Sequence, residues 1–147
     1  MDERQQLHFQ LTNGLLPSAR QWQRLVQGRL GHHGISSACI GPFMFIGRAN
    51  GGLNQVTLAQ LLGIEGPSLV RLLDRLAAAG LVRRESDAMD RRANQLWLTE
   101  AGHRLHRKLE QGLIELRAEV LADLSDAELG AVLKLYRLMD QAAARGG

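Results

Sequence analysis

Apolar residues recur at helical spacing along most of the chain, and the pattern is sharpest between residues 54 and 98. There it predicts two short helices and a hairpin. Asn54 is placed to cap the first helix, which carries Leu58, Leu61 and Leu62 on one face. Gly63 then supplies the residue that most easily leaves a helix in a left-handed conformation. A second helix opens after Ile64, with Pro67 in its first turn, where a missing N–H is not needed. Leu69, Leu72, Leu73 and Leu76 form its buried stripe and Gly80 ends it. The short glycine-containing turn between the two is what a helix-turn-helix requires. Beyond Gly80 the period drops to two. Residues 81–85 and 94–98 read as strands, the second with Leu96 and Leu98 on one side, joined by a tip too polar for a core.

The flanks are longer helices. Residues 4–31 carry Leu11, Leu15, Ala19, Trp22, Leu25, Val26 and Leu30 at helical spacing. Gly14 and Pro17 predict an irregular start, with firm helix from about Ser18. Ser36 or Ser37 caps the next segment, in which Gly41-Pro42 should break or bend the helix and leave its better part from Pro42 to about Ala49. Asn50-Gly51-Gly52 is a turn leading into the helix-turn-helix. After the hairpin, Thr99 caps a helix running to about Ala122, striped by Leu105, Leu109, Leu113, Leu116 and Val120. Ser125-Asp126-Ala127-Glu128 has capping-box spacing, and Leu129, Val132, Leu133, Tyr136 and Met139 stripe the last helix before a fraying tail. Stripes this long exceed what a small winged domain needs to cover. A second copy of the chain would bury them, ahead of the alternative of a monomer with an extra helical layer.

The predicted second helix keeps Ser68, Arg71 and Arg75 on one open side, three and four residues apart. Such a side is usually a solvated polar face. It is also the side a major groove would see, where Arg can bond phosphate or bridge O6 and N7 of guanine. The hairpin favours the second reading. Arg83 and Arg84 lie on one strand and Arg91 and Arg92 at the base of the tip, where a wing can place an Arg in a narrow minor groove. Asp90 reads as a brace for a guanidinium, because a carboxylate would repel phosphate.

These residues, in this order and at these separations, resemble the winged helix-turn-helix of the MarR family, close to its SlyA branch. The specific parts are GIEGPSLVRLLDRL, the Gly-Leu-Val start of the wing, the Asp90-Arg91-Arg92 triplet, and the exit Leu98-Thr99-Glu100-Ala101-Gly102. The resemblance extends more faintly over nearly the whole chain. It implies a mainly α fold with a small β-hairpin wing, in which 1–35 and 100–147 supply dimerisation helices and 36–99 the winged domain. It also implies a homodimeric DNA-binding regulator, a repressor released from an inverted-repeat operator by a small aromatic or phenolic ligand. The DNA contacts would come from Pro67, Ser68, Arg71, Arg75, Arg83, Arg84, Arg91 and Arg92, with Asp90 beside them. A small aromatic carboxylate would bind near Arg20, Trp22, Cys39, Phe43 and Met44, paired with Arg20. Bottom-up, Trp22 is core or interface before it is a ligand platform, and Cys39 a small buried hydrophobe before it is reactive. Two alternatives stay open: a winged-helix protein-interaction module, and a redox-responsive regulator switched through Cys39.

Composition sets outer limits. A chain of 147 residues, 45% of them hydrophobic, suits one domain with a usable core, and 4% aromatic content points to Leu, Val and Ala packing. A net charge of +3 is compatible with nucleic-acid binding without requiring it. One cysteine excludes an intramolecular disulfide and fits a reducing cytoplasm. No apolar run approaches membrane-spanning length, and MDERQQ is not a signal peptide, so a cytoplasmic protein is expected. His32 and His33 follow the first helix, where cations are favoured, and zinc-ligand spacing is absent, so neither a metal nor another cofactor is expected. No Ser-His-Asp constellation, phosphate-binding glycine loop or paired apolar carboxylates point to an enzyme.

Overall fold

A computed structural model describes residues 1–86, 89 and 94–146. Two compact units divide the chain at Leu113 and Ile114.

The first unit opens with helix α1 (Glu3–Leu30), which runs without interruption through Pro17. The irregular start expected before Ser18 is therefore absent. The helix is nucleated earlier than the apolar pattern suggested. The Asp2 side chain accepts a hydrogen bond from the Gln5 backbone N–H at 2.7 Å, while the Asp2 N–H donates to Gln5 Oε1 at 2.8 Å, a capping box. A 3-10 turn (Gly31–His33) follows, and then α2 (Ser37–Ala49). That helix is also continuous, contrary to the break expected at Gly41-Pro42. Pro42 lies inside it and is buried, as are Cys39, Ile40, Phe43, Met44 and Ile46. Packing on that many apolar side chains offsets the one backbone hydrogen bond that proline removes.

Next come β1 (Leu53–Asn54), α3 (Gln55–Leu62) and α4 (Gly66–Ala78). Asn54 caps α3 as expected, its side chain accepting from Val56 N–H at 2.8 Å and Thr57 N–H at 3.2 Å. Gly63 ends α3 at φ 64°, in the left-handed region that glycine enters without a Cβ penalty. Of the leucines assigned to one face of α3, Leu58 is buried and Leu62 partly so, but Leu61 is 56% exposed. Leu58 and Leu62 are one turn apart, whereas Leu61 lies a residue off that line. In α4 the expected stripe is observed, with Leu69, Leu73 and Leu76 buried and Leu72 half-buried.

The hairpin strands are β2 (Val82–Ser86) and β3 (Asn94–Leu98). They pair antiparallel from Val82 opposite Leu98 to Ser86 opposite Asn94. The short strand β1, absent from the sequence reading, adds to the far side of β3, so the sheet order is β1-β3-β2. Leu96 and Leu98 face the core. Helix α5 (Glu100–Val120) leaves the hairpin at Thr99, whose hydroxyl donates to Gly80 O at 2.6 Å and accepts from Gly102 N–H at 3.0 Å. A Cβ on Gly102 would stand 2.2 Å from Leu81 O, so the helix start and the wing start approach as closely as glycine permits.

The second unit, Ile114–Gly147, holds the end of α5 and helix α6 (Asp126–Gly146). Ser125 and Glu128 form the expected capping box at 3.0 and 3.1 Å. Helix continues to Gly146, into the tail expected to fray. Leu133, Tyr136 and Met139 on this helix are all exposed.

Candidate nucleic-acid interface

Helix α4 is bounded at both ends by residues suited to the place. Glu65 stands at its N-cap with Pro67 in the first turn. At the other end, Leu81 N–H reaches back to Leu76 O at 3.0 Å across Gly80, the bond pattern of a left-handed glycine cap. Leu69, Leu73 and Leu76 hold its inner side in the core, so Pro67, Ser68, Arg71 and Arg75 are left exposed. The residues predicted from spacing to share an open side thus do stand outside the core on one helix.

The strand arginines behave differently. Arg84 turns back to α4, where its Nη2 donates to Asp74 Oδ1 at 2.7 Å and approaches Val70 O at 3.4 Å. Its side chain is 29% exposed, against 60% for Asp74. Arg84 therefore ties β2 to α4. Arg83 forms an ion pair with Glu85 and lies 5.2 Å above the centre of the Trp97 ring, a cation–π distance. Both groups were predicted as DNA contacts, and both are engaged within the winged unit. Asp90, Arg91 and Arg92 lie outside the described residues.

Of the predicted ligand residues, Arg20 and Trp22 lie on α1 and Cys39, Phe43 and Met44 on α2. Phe43 and Met44 are core side chains, and Phe43 meets the His106 ring edge-on at 6.1 Å between centroids. Trp22 is half-buried and Arg20 exposed on α1. Cys39 is buried, its Sγ 3.9 Å from Leu72 O. It alone of the five lines a cavity of about 200 Å³, with Ile35, Ser36, Arg75, Leu76 and Leu81 among the other walls. Sequence spacing could not find that cavity, because Ile35 and Arg75 are distant in the chain and meet only when α2 packs on α4.

Two further features escaped the sequence reading. His106 on α5 is hydrogen-bonded to the Met44 backbone, and its ring lies directly on Gly47, where a Cβ would stand 2.2 to 2.8 Å from ring atoms. Burial lowers its pKa, with Arg48 and His103 acting the same way and Glu110 and the Met44 bond opposing. One turn further along both helices, Arg48 Nη2 contacts the two Glu110 carboxylate oxygens at 3.1 and 3.2 Å. Among the described residues no group of His, Cys, Asp and Glu is disposed to hold a metal ion, and no single helix is long and apolar enough to cross a membrane.

Comparison with known proteins agrees with this architecture. Residues 33–93 match the MarR family profile. The solved transcriptional regulator PA3341 is 33% identical over 93% of this chain and 99% of its own, with a TM-score of 0.79. PcaV from Streptomyces coelicolor, solved in complex with its natural ligand, is 26% identical over 88% of this chain and 91% of its own, with a TM-score of 0.71. A cysteine mutant of MarR from E. coli, solved with operator DNA, shares the fold at 23% identity and a TM-score of 0.75, covering 95% and 99% of the two chains. Members of this family are transcriptional regulators and not enzymes. By the exposed helix of its helix-turn-helix, the wing braced against it, and its likeness along nearly the whole length to a solved regulator, the chain belongs to the MarR family of transcriptional regulators.

Proposed function

We propose that this protein is a homodimeric repressor that reads an inverted-repeat operator, with α4 of each protomer in a major groove and each wing against the adjacent minor groove. The observation that carries the reading is the exposed set Pro67, Ser68, Arg71 and Arg75 on a helix whose opposite side is locked in the core. A rigid helix presenting two guanidiniums and a hydroxyl can bond phosphates and guanine edges without first being ordered. Asp74 and Arg84 brace the wing, and Arg91 and Arg92 supply the minor-groove and backbone contacts, with Asp90 holding a guanidinium in place. The apolar side chains left exposed on α1 and α6, among them Leu11, Leu16, Leu133 and Tyr136, support dimerisation through 1–35 and 100–147. The operator reading places the protein in the cytoplasm, with DNA.

Release by a small aromatic acid finds its best support in the cavity beside Cys39. Apolar Ile35, Leu76 and Leu81 would cover a ring while Arg75 pairs the carboxylate. An effector held there would draw on a residue of the DNA-facing helix, giving it the unequal affinity for bound and released forms that a switch requires. Arg20, on present geometry, lies outside this cavity's walls. Oxidation of Cys39 is the competing switch, and its burial disfavours it, since reactive thiols are partly exposed. Replacing Cys39 with Ser separates the two: ligand release should persist, whereas oxidant release would vanish.

The reading is tested by selecting binding sites from random duplexes and comparing the wild type with Arg71→Ala. We expect an inverted repeat bound by one dimer, with affinity falling roughly tenfold or more in the variant while binding to a random duplex changes little. Equal loss on both duplexes would reduce Arg71 to a phosphate contact. No selected site at all would leave a basic protein-docking module.

A further inference from the structure

The seam between α2 and α5 is closed at two points, one turn apart on α5. At the first, the His106 ring lies against the Gly47 backbone, edge-on to Phe43, and bonds the Met44 backbone. Its Nε2 is buried and has no hydrogen-bond partner among the described residues. At the second, Arg48 Nη2 spans the two carboxylate oxygens of Glu110, at 3.1 and 3.2 Å. The charged and titratable groups that act on the imidazole are Arg48 from α2 and Glu110 and His103 from its own helix. Glu110 is the one anion of the three, and Arg48 already holds it. A proton added to His106 would leave a cation on an apolar seat with its carboxylate committed elsewhere, a costly placement. A counter-charge is nevertheless within reach along the helix. Residues 106 and 110 are four apart on α5, so their side chains lie on one face of it.

We propose that His106, Glu110 and Arg48 form an acid-sensitive latch between α2 and α5. With the ring neutral, it stays on Gly47 and Glu110 holds Arg48. Once the ring takes up a proton it turns off Gly47 to the Glu110 carboxylate one turn along, and Arg48 exchanges its partner for water. Both closures of the seam then open together. Burial, aided by Arg48 and His103, keeps the ring neutral until the pH falls below the ordinary imidazole value of 6.5. The two sides of the seam carry different parts of the surface proposed for DNA. Helix α2 packs on α4, with Cys39 Sγ 3.9 Å from Leu72 O, while α5 starts from the wing, where Thr99 donates to Gly80 O at 2.6 Å. An open seam lets α4 and the wing shift against each other, and a bound duplex needs both in place. This consequence for DNA rests on the operator reading, whereas the latch itself does not.

The test is a titration of the DNA-free protein from pH 8 to pH 5, following the imidazole carbons, the Arg48 guanidinium and the backbone amides by nuclear magnetic resonance. We expect His106 to gain its proton below pH 6.5, with amides 43–48 and the Arg48 Nε–H moving at the same midpoint. His106→Asn gains no charge and should abolish that transition. Glu110→Gln should move the His106 midpoint further down, because the carboxylate favours the charged ring. Far-ultraviolet dichroism at pH 8 checks that both variants fold. In parallel, operator affinity of the wild type should fall by at least about threefold more than that of His106→Asn between pH 8 and pH 5.5, the scale of one partly exposed ion pair. Amide movements that persist in His106→Asn, or a His106 titration that leaves Arg48 and residues 43–48 unmoved, would overturn the latch. Equal loss of affinity in wild type and variant would overturn its effect on DNA. A protein that binds no duplex at pH 8 would sink the operator reading instead, with the titration still deciding the latch.

Discussion

Gly47 and His106 show how closely single residues are fitted. The imidazole lies where any side chain at residue 47 would have to be, so α2 and α5 meet with no atom between ring and backbone. Gly47→Ala should destabilise the fold by roughly 1–3 kcal/mol, the usual cost of overpacking, read as a lower urea midpoint. Truncating the ring in Gly47→Ala/His106→Ala should recover part of that loss. The same imidazole makes stability depend on pH. Its folded pKa is lowered, chiefly by burial, so the unfolded chain takes up a proton first as pH falls below the ordinary imidazole value of 6.5. Its contribution is therefore fully present above that value and is lost as pH falls towards the folded one. His33, lowered by burial and by His32 and Lys108, acts in the same direction. His106→Asn should flatten the decline of melting temperature between pH 7 and 5. A decline as steep as in the wild type would assign the dependence to His33 and the carboxylates instead.

Among elements, the bond between β2 and α4 is the one whose removal is most informative. Asp74→Ala should leave Arg84 without its carboxylate and let the wing move relative to α4. A partly exposed ion pair contributes only about 0–1 kcal/mol to stability. We expect a small change in unfolding free energy and a larger loss of DNA affinity, measured side by side. Loss of stability alone would make the pair a structural tie. Much of this arrangement was legible in the sequence where the cause is local. Asn54, Thr99 and the Ser125–Glu128 pair bond backbone groups two or three residues away, so their types and spacing suffice. The Asp2–Gln5 box is the same kind of local signal, and it starts α1 well before Pro17. Where tertiary packing decides, local preference misleads: Gly41-Pro42 reads as a break, yet α2 continues because its side chains are buried on several elements. The two residues of β1 are too few to show a period. Arg84 looked like one more free cation because Asp74, ten positions back, faces it only after β2 lies along α4. The ligand residues followed from the family resemblance alone, with no local signal behind them, and Phe43 and Met44 are core side chains.

At the scale of the whole molecule, both ends of the chain present apolar side chains to solvent in a single copy. Leu7, Phe9, Leu11 and Leu16 stand exposed on α1, and no described residue of α6 is buried. Exposed apolar side chains in such number are what the proposed dimerisation would cover. Replacing Leu133 and Tyr136 together with Glu should give a monomer by sedimentation equilibrium and abolish operator binding, because one half-site alone supplies half the contacts. A variant that stays dimeric would move the interface elsewhere. Arg92→Ala should weaken binding and reduce the slope of log affinity against log salt, as the loss of a phosphate or minor-groove contact does. The most direct test is fluorescence anisotropy of the purified protein with DNA from upstream of its own gene, repeated across a salt series beside a random duplex. The account predicts tight binding of one dimer per site that the random duplex cannot match at any salt. Equal, weak and steeply salt-dependent binding to both duplexes would contradict it.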